Sequence, residues 1–284
     1  MDFWINQTFN GISYGALLFL FASGLSVIFG VMKIVNLAHG SYYMLGGYMA
    51  ITFIPMLGSY VSGFLAAAAA VGLLGIFTVR LFLRKVSGND LGQVLITMGF
   101  ALVIQDTALL VWGGDPFSIQ PPSIISGSLA VGTFVFPTYR VFIIAIAVLI
   151  GIALWLFQNK TRGGAIIRAA VDNEEMARAM GINVPLVFMG VYAAGAILAA
   201  IAGVIGGGFL GIYPGLDFEI LPYAFVIVIL GGRGSLEGAV LGSLIVGLID
   251  NFGKVLFPEI SYFTLFAPMV IILAVRPVGL FGKA

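Results

Sequence analysis

Long apolar runs, each close to the length of a bilayer-crossing helix, alternate along this chain with short polar breaks, and one break is far longer and more charged than the rest. A helix needs roughly 20 apolar residues to cross a hydrocarbon core about 30 Å thick. By that measure the candidate crossings are 3–30, 41–57, 60–83, 91–112, 139–158, 185–210, 220–232, 236–257 and 261–275. The seventh and ninth are short, so one of them is expected to be a half-helix or a re-entrant segment. The pattern predicts an all-α, polytopic membrane helix bundle of about eight to nine spans, forming a single domain over 1–284. The long polar island, 160–184 (KTRGGAIIRAAVDNEEMARAMGINV), must sit in water and offer a surface to something.

Composition excludes the soluble class. Hydrophobic residues make up 61% of the chain and charged residues 9%, against about 25% charged in soluble domains. A formal net charge of +1 gives no electrostatic reason to expect nucleic acid, and the expected surroundings are membrane lipid. The absence of cysteine excludes disulfides and thiolate metal sites. Asp2 stands where a secretory signal would carry Lys or Arg, so the first apolar run reads as a retained span.

Charge also orients the chain. With the N-terminus outside, the inner turns hold Lys33, Arg80, Arg84, Lys85, Lys160, Arg162, Arg168, Arg178, Arg233, Arg276 and Lys283. Of the 13 basic residues, only Arg140 and Lys254 fall near the outer side. Lys and Arg collect in cytoplasmic turns of inserted proteins, which predicts an N-out, C-in topology and a cytoplasmic 160–184 segment. The longest outer connection, 113–138, is rich in Pro, Gly, Ser and β-branched residues. It is expected to cap the outer face with extended or short strand structure.

Small residues recur at four-residue spacing: Gly195, Ala199, Gly203, Gly207 and Gly211, then Gly234, Gly238 and Gly242. In lipid, spans associate where small residues let backbones approach, and packing within the bundle is weighed above a dimer seam. Arg233 with Glu237, and Asp250 with Lys254, are spaced to pair charges that would each cost about 2.5–3.5 kcal/mol at a helix centre. Asp106, beside Gln105, lies deeper in a span. An ionisable group there is expected to face a wet cavity or the protein interior, with hydrogen bonding between helices as the favoured role.

No catalytic motif survives inspection. Gly11-Ile12-Ser13-Tyr14-Gly15 spells G-x-S-x-G but lies inside a span without the required strand. Gly206, Gly208 and Gly211 match G-x-G-x-x-G but end a membrane helix instead of opening a βαβ unit. His39 is the only histidine and reads as a structural hydrogen-bond donor at a helix break, so no metal or other cofactor is expected. No phosphate loop is present, so ATP-driven transport would need an ATPase on another polypeptide.

Within the polar island, Asp172 reads as a helix cap and Glu175, three residues on, completes a capping-box-like pair. Glu174 and Glu175 suit the positive end of the helix dipole. Arg178 falls in the last turn, Gly181 ends the helix, and Pro185 begins the next span. The expected helix is about eight residues, roughly 12 Å long, too short to be stable alone. Met176, Ala177, Ala179 and Met180 give it an apolar patch, suited equally to a groove on a second protein or to the lipid surface.

Three stretches carry a family resemblance: Gly24 through Ser41 (GLSVIFGVMKIVNLAHGS) continuing to Tyr48; Arg168 through Asn183; and Leu230 through Ala239 (LGGRGSLEGA) with the tail Arg276 through Gly282. Together the chain resembles the H-type (LivH-like) permease subunit of branched-chain amino acid ABC importers. The resemblance implies a second permease subunit (an M-type relative or a second copy), two cytoplasmic ATP-binding subunits and an extracytoplasmic substrate-binding protein. The setting is a bacterial-type cytoplasmic membrane. It also implies that Asp172, Glu174, Glu175, Met176, Ala177, Arg178, Met180 and Gly181 form the helix that couples to the ATPases. The breaks at Asn36–Gly40 and Gly231–Ser235 supply Asn36, His39, Gly231, Gly232, Gly234 and Ser235 as candidates for the translocation path. Urea, short amides or other amino acids are alternative cargoes for the same architecture. An ion-coupled secondary transporter should instead show inverted repeats and paired midplane charges, and only Asp106 answers to that.

Overall fold

The computed structural model describes residues 2–131, 134–232, 234–276 and 279–281. The described residues form α1 (Asp2–Met32), α2 (His39–Leu57), α3 (Tyr60–Leu81), α4 (Asp90–Trp112), α5 (Thr138–Lys160), α6 (Arg162–Asp172), α7 (Glu174–Ala179), α8 (Val184–Gly207), α9 (Leu216–Gly231), α10 (Leu236–Leu256) and α11 (Ser261–Val275). The connection between α4 and α5 carries a hairpin of β1 (Ser128–Val131) and β2 (Phe134–Pro137), with Ser128 opposite Pro137. The fold is otherwise all-α. Among the described residues, six helical stretches are long and apolar enough to cross a membrane: Phe3–Met32, Tyr60–Val86, Asp90–Trp112, Thr138–Lys160, Val184–Gly207 and Leu236–Leu256. Helices α9 and α11, at 16 and 15 residues, fall short of a full crossing length and each contains a proline.

Helix α1 forms the centre. Its most apolar window is 72% buried, against 11% for α5, which lies at the periphery. In lipid, helices must pack largely by shape, and the glycines do much of this. On α1, Gly11 and Gly15 lie against Leu248 and Ser243 of α10, and Gly30 against Gly234, so the two helices run antiparallel. The small faces seen in the sequence pack internally: Gly195 meets Gly24 and Ile28, Gly203 sits on the Tyr43 carbonyl, and Gly238 meets Gly231.

Two members of those series are not on helical faces. Gly211 lies in the connection after α8, and Gly234 in the turn before α10, both at positive φ. The run Gly206-Gly207-Gly208 has low helix propensity, and α8 ends there. The following chain takes its hydrogen bonds from the α4–α5 connection: Ile119 N–H donates to the Gly207 carbonyl, and Phe117 pairs with Ile212. Of the acid–base pairs, Lys254 and Asp250 are 2.7 Å apart, with the Asp250 side chain buried. Arg233 lies outside the described residues.

Candidate functional site

The polar island folds as two short helices, and each start has a side-chain cap. Thr161 accepts from Gly164 N–H at 3.1 Å to open α6, and Asn183 accepts from Leu186 N–H at 3.2 Å to open α8. Between them, Asn173 caps α7 by accepting from Met176 N–H at 2.9 Å. This corrects the expectation for Asp172, which is the last residue of α6. Asn173 holds an extended φ of −153° that turns its carboxamide onto the next turn, whereas Asp172 remains helical. Helix α7 therefore has six residues, not eight.

Gly181 ends it as expected. Ile182 N–H donates to the Ala177 carbonyl and Gly181 N–H to the Arg178 carbonyl, both at 3.0 Å. These paired bonds need the left-handed φ of +85° that Gly181 supplies. The buried side of α7 is Ala177, packed with Ala170 of α6 and Val184 of α8. Glu174 and Arg178 pair at 2.5 Å across one turn. Glu175 is exposed, and Met176 and Met180 are 60% and 77% exposed. A helix too short to persist alone is thus clamped at both ends and along one side, with two methionines presented outward.

The first break is a re-entrant turn. After α1 ends, His39 Nε2 lies 2.9 Å from the carbonyl oxygen of Phe21, and the two rings stack at 4.9 Å. Phe21 is eleven residues before the end of α1, so α2 starts about 16 Å back along α1's axis. Asn36 inside this turn is fully buried. Its Oδ1 accepts from Ala38 N–H (3.2 Å) and from the Tyr192 hydroxyl (3.1 Å). The Tyr192 hydroxyl lies 3.1 Å from that of Tyr42, and Tyr42 donates to Thr78. One polar chain thus links the turn to α2, α3 and α8. Replacing Tyr192 with Phe should cost about 1 kcal/mol, read as a lowered melting temperature of the solubilised protein.

The second break is tied elsewhere. Ser235 accepts from Gly238 N–H at 2.9 Å to cap α10, and Ser26 on α1 donates to the Ser235 carbonyl at 3.4 Å. Gly231 and Gly232 are buried, and Phe281 N–H donates to the Gly231 carbonyl, so the C-terminal tail covers the end of α9. Gly234 is exposed at its far side but touches Gly30. None of the six candidate path residues lines the cavity of about 510 Å³ that opens between α1, α9, α10 and α11.

Two acids change places relative to expectation. Asp106 is exposed, with no hydrogen bond or ion pair among the described residues, because α4 turns Gln93, Thr97, Ala101, Ile104 and Ala108 inward and leaves Asp106 on the other side. Asp217, like Asp250, is buried at 2% exposure, and its Oδ2 accepts from Ser41 at 2.7 Å. It lies in the first turn of α9, where a helix N-terminus favours negative charge, and meets the first turn of α2 through Ser41. Its signal in the sequence was an acid two residues after Pro214-Gly215, a helix-start pattern hidden by the assumption that the span began later.

Comparison with known proteins agrees with this architecture. The family described as branched-chain amino acid transport system / permease component matches residues 7–274. The high-affinity branched-chain amino acid transport system permease protein BraD of Pseudomonas aeruginosa is 28% identical, covering 99% of this chain and 96% of its own length. The corresponding LivH protein of Escherichia coli is 30% identical with the same coverage. The ribose import permease protein RbsC of Escherichia coli is 26% identical over 95% of this chain and 84% of its own. A match of this extent places the chain, whose described residues include six helices of crossing length, in the permease component family of branched-chain amino acid transport systems.

Proposed function

We propose that this permease is the H-type membrane subunit of an ATP-driven importer of branched-chain or related small amino acids, lying N-out, C-in with eight or nine crossings in a bacterial-type cytoplasmic membrane. It pairs with a second permease subunit, receives cargo from an extracytoplasmic binding protein, and is driven by two cytoplasmic ATP-binding subunits. The observation that carries the coupling role is α7, a six-residue helix anchored through Ala177 with Met176 and Met180 facing outward. Such a projection has the form of a short apolar key held by its own chain. Residues Asp172, Glu174, Glu175, Arg178 and Gly181 serve it by shaping and charging the helix and its ends.

The test is purification from native membranes in mild detergent. The tagged chain should bring down a phosphate-loop ATPase and a second permease, and the assembly in vesicles should import leucine only with ATP and the binding protein. Uphill import by this polypeptide alone would overturn the reading in favour of a secondary transporter. Urea, short amides and other amino acids belong in the same transport panel, because a relative named for ribose import is also similar to this chain.

A further inference from the structure

The cavity between α1, α9, α10 and α11 has features that packing alone does not call for. Its volume of about 510 Å³ lies within the range of small-molecule sites, about 300–1,000 Å³. On one side stands Lys254, its ammonium 2.7 Å from the buried carboxylate of Asp250. The same ammonium lies over the rings of Tyr14 at 5.5 Å and Tyr223 at 5.8 Å. Tyr223 donates to the other Asp250 oxygen at 3.0 Å. This cation is therefore fixed in place by an ion pair and two aromatic faces, yet its side chain remains half exposed.

Glu219, in the first turn of α9, also lines the cavity, and Tyr213 donates to its Oε2 at 2.7 Å. Its second oxygen makes no hydrogen bond among the described residues. The rest of the wall is apolar, supplied by Leu210, Leu216, Ile220 and Phe266. A positioned cation, a carboxylate and an aliphatic wall around one small volume form the complement of a zwitterion with a hydrocarbon side chain. A neutral solute such as urea would engage neither charge, and a sugar would leave the apolar wall unused.

We infer that this cavity holds the amino acid in transit, with Lys254 on the substrate carboxylate, Glu219 on its ammonium group, and the Leu210–Leu216–Ile220–Phe266 wall against its side chain. The inference rests on the import function proposed above and assigns that function a place in this chain. It also separates the transit site from the helix breaks at Asn36–Gly40 and Gly231–Ser235, which are closed by hydrogen bonds. The cavity lies by the α8–α9 connection, which is paired through Ile212 with the outer segment at Phe117. Cargo released on that side reaches the cavity without first passing the α7 end.

The experiment uses the whole importer in proteoliposomes with its binding protein, measuring radiolabelled leucine uptake and ATP hydrolysis in the same vesicles. Two variants are compared with the parent: Glu219→Gln, which keeps shape and removes the charge, and Leu210→Trp, which fills the cavity and touches neither charge. Both should lower uptake about tenfold or more, while hydrolysis stimulated by the loaded binding protein stays within about twofold of the parent. Such vesicles spend ATP without moving cargo. Parent-like uptake in both variants overturns the site, as does a parallel fall of hydrolysis and uptake, which marks a structural role. If the parent importer itself moves no amino acid, the import function fails before any variant is compared, and this site fails with it.

Discussion

Replacing Met176 and Met180 together with Asp is expected to abolish ATP-driven uptake and to release the ATPases during purification, while leaving the permease inserted and folded. Both side chains are mostly exposed on α7, so their loss removes little contact within the fold. In the assembled importer each methionine is proposed to be buried in an ATPase groove, contributing about 1.5–3 kcal/mol. Two such losses amount to roughly a hundredfold or more in affinity, and an introduced carboxylate in an apolar groove adds a further penalty. Uptake in whole cells and ATPase recovery on the tagged permease are the two readings, with a fluorescent C-terminal fusion reporting insertion. The comparison variant is Ala177→Asp, which places the charge on the buried side, against Ala170 and Val184. It should lower the melting temperature of the permease itself, which the methionine pair should not. Normal uptake with both methionines replaced would remove α7 from the coupling path.

Much of this architecture was legible because a membrane imposes a simple code. Apolar length marks the helices, and each proposed crossing coincides with a helix in the structure, from α1 through α11. The end of α7 was equally readable, because a glycine after a short polar helix readily takes the left-handed backbone conformation that closes it. The start of α7 was misread for a local reason. Asp172 and Asn173 are adjacent and equally able to cap, and the choice depends on how far α6 extends, which periodicity does not specify.

The acids show a different limit. Asp106 and Asp217 were distinguishable only by which face of its helix turns inward, a property of the neighbouring helices. Asp217 also needed the re-entrant turn at 33–38, which carries Ser41 to it. That turn is invisible to hydropathy, since a chain that doubles back along α1 reads the same as one that leaves the membrane. The cavity eluded the sequence for the same reason. Tyr14, Glu219 and Lys254 are more than 200 residues apart at the extremes and are assembled by the antiparallel pairing of α1 with α10.

The second large effect is expected at Gly203. This residue of α8 sits on the backbone of α2, where any Cβ would overlap the carbonyl group of Tyr43, and one turn further on Gly206 leaves room for the Tyr43 hydroxyl. Gly46 of α2 in turn lies against Ala200, so the seam is close on both sides. Carbonyl carbon and oxygen cannot rotate away as a side chain can, and the helices must separate to admit a methyl group. Gly203→Val should therefore cost at or above the upper end of the ~1–3 kcal/mol typical of overpacking, lowering the melting temperature of the solubilised protein by about 5–10 °C. Gly190→Val, on the same helix with nothing within 4 Å of the added Cβ, should leave it unchanged. The pair of variants isolates close approach from any general intolerance of β-branching in α8. An equal response in both would mean that α2 and α8 are held by something other than the contact at Tyr43. A large loss confined to Gly203 would show that, where lipid offers no hydrophobic drive to join helices, the missing side chain itself is what lets α2 and α8 dock.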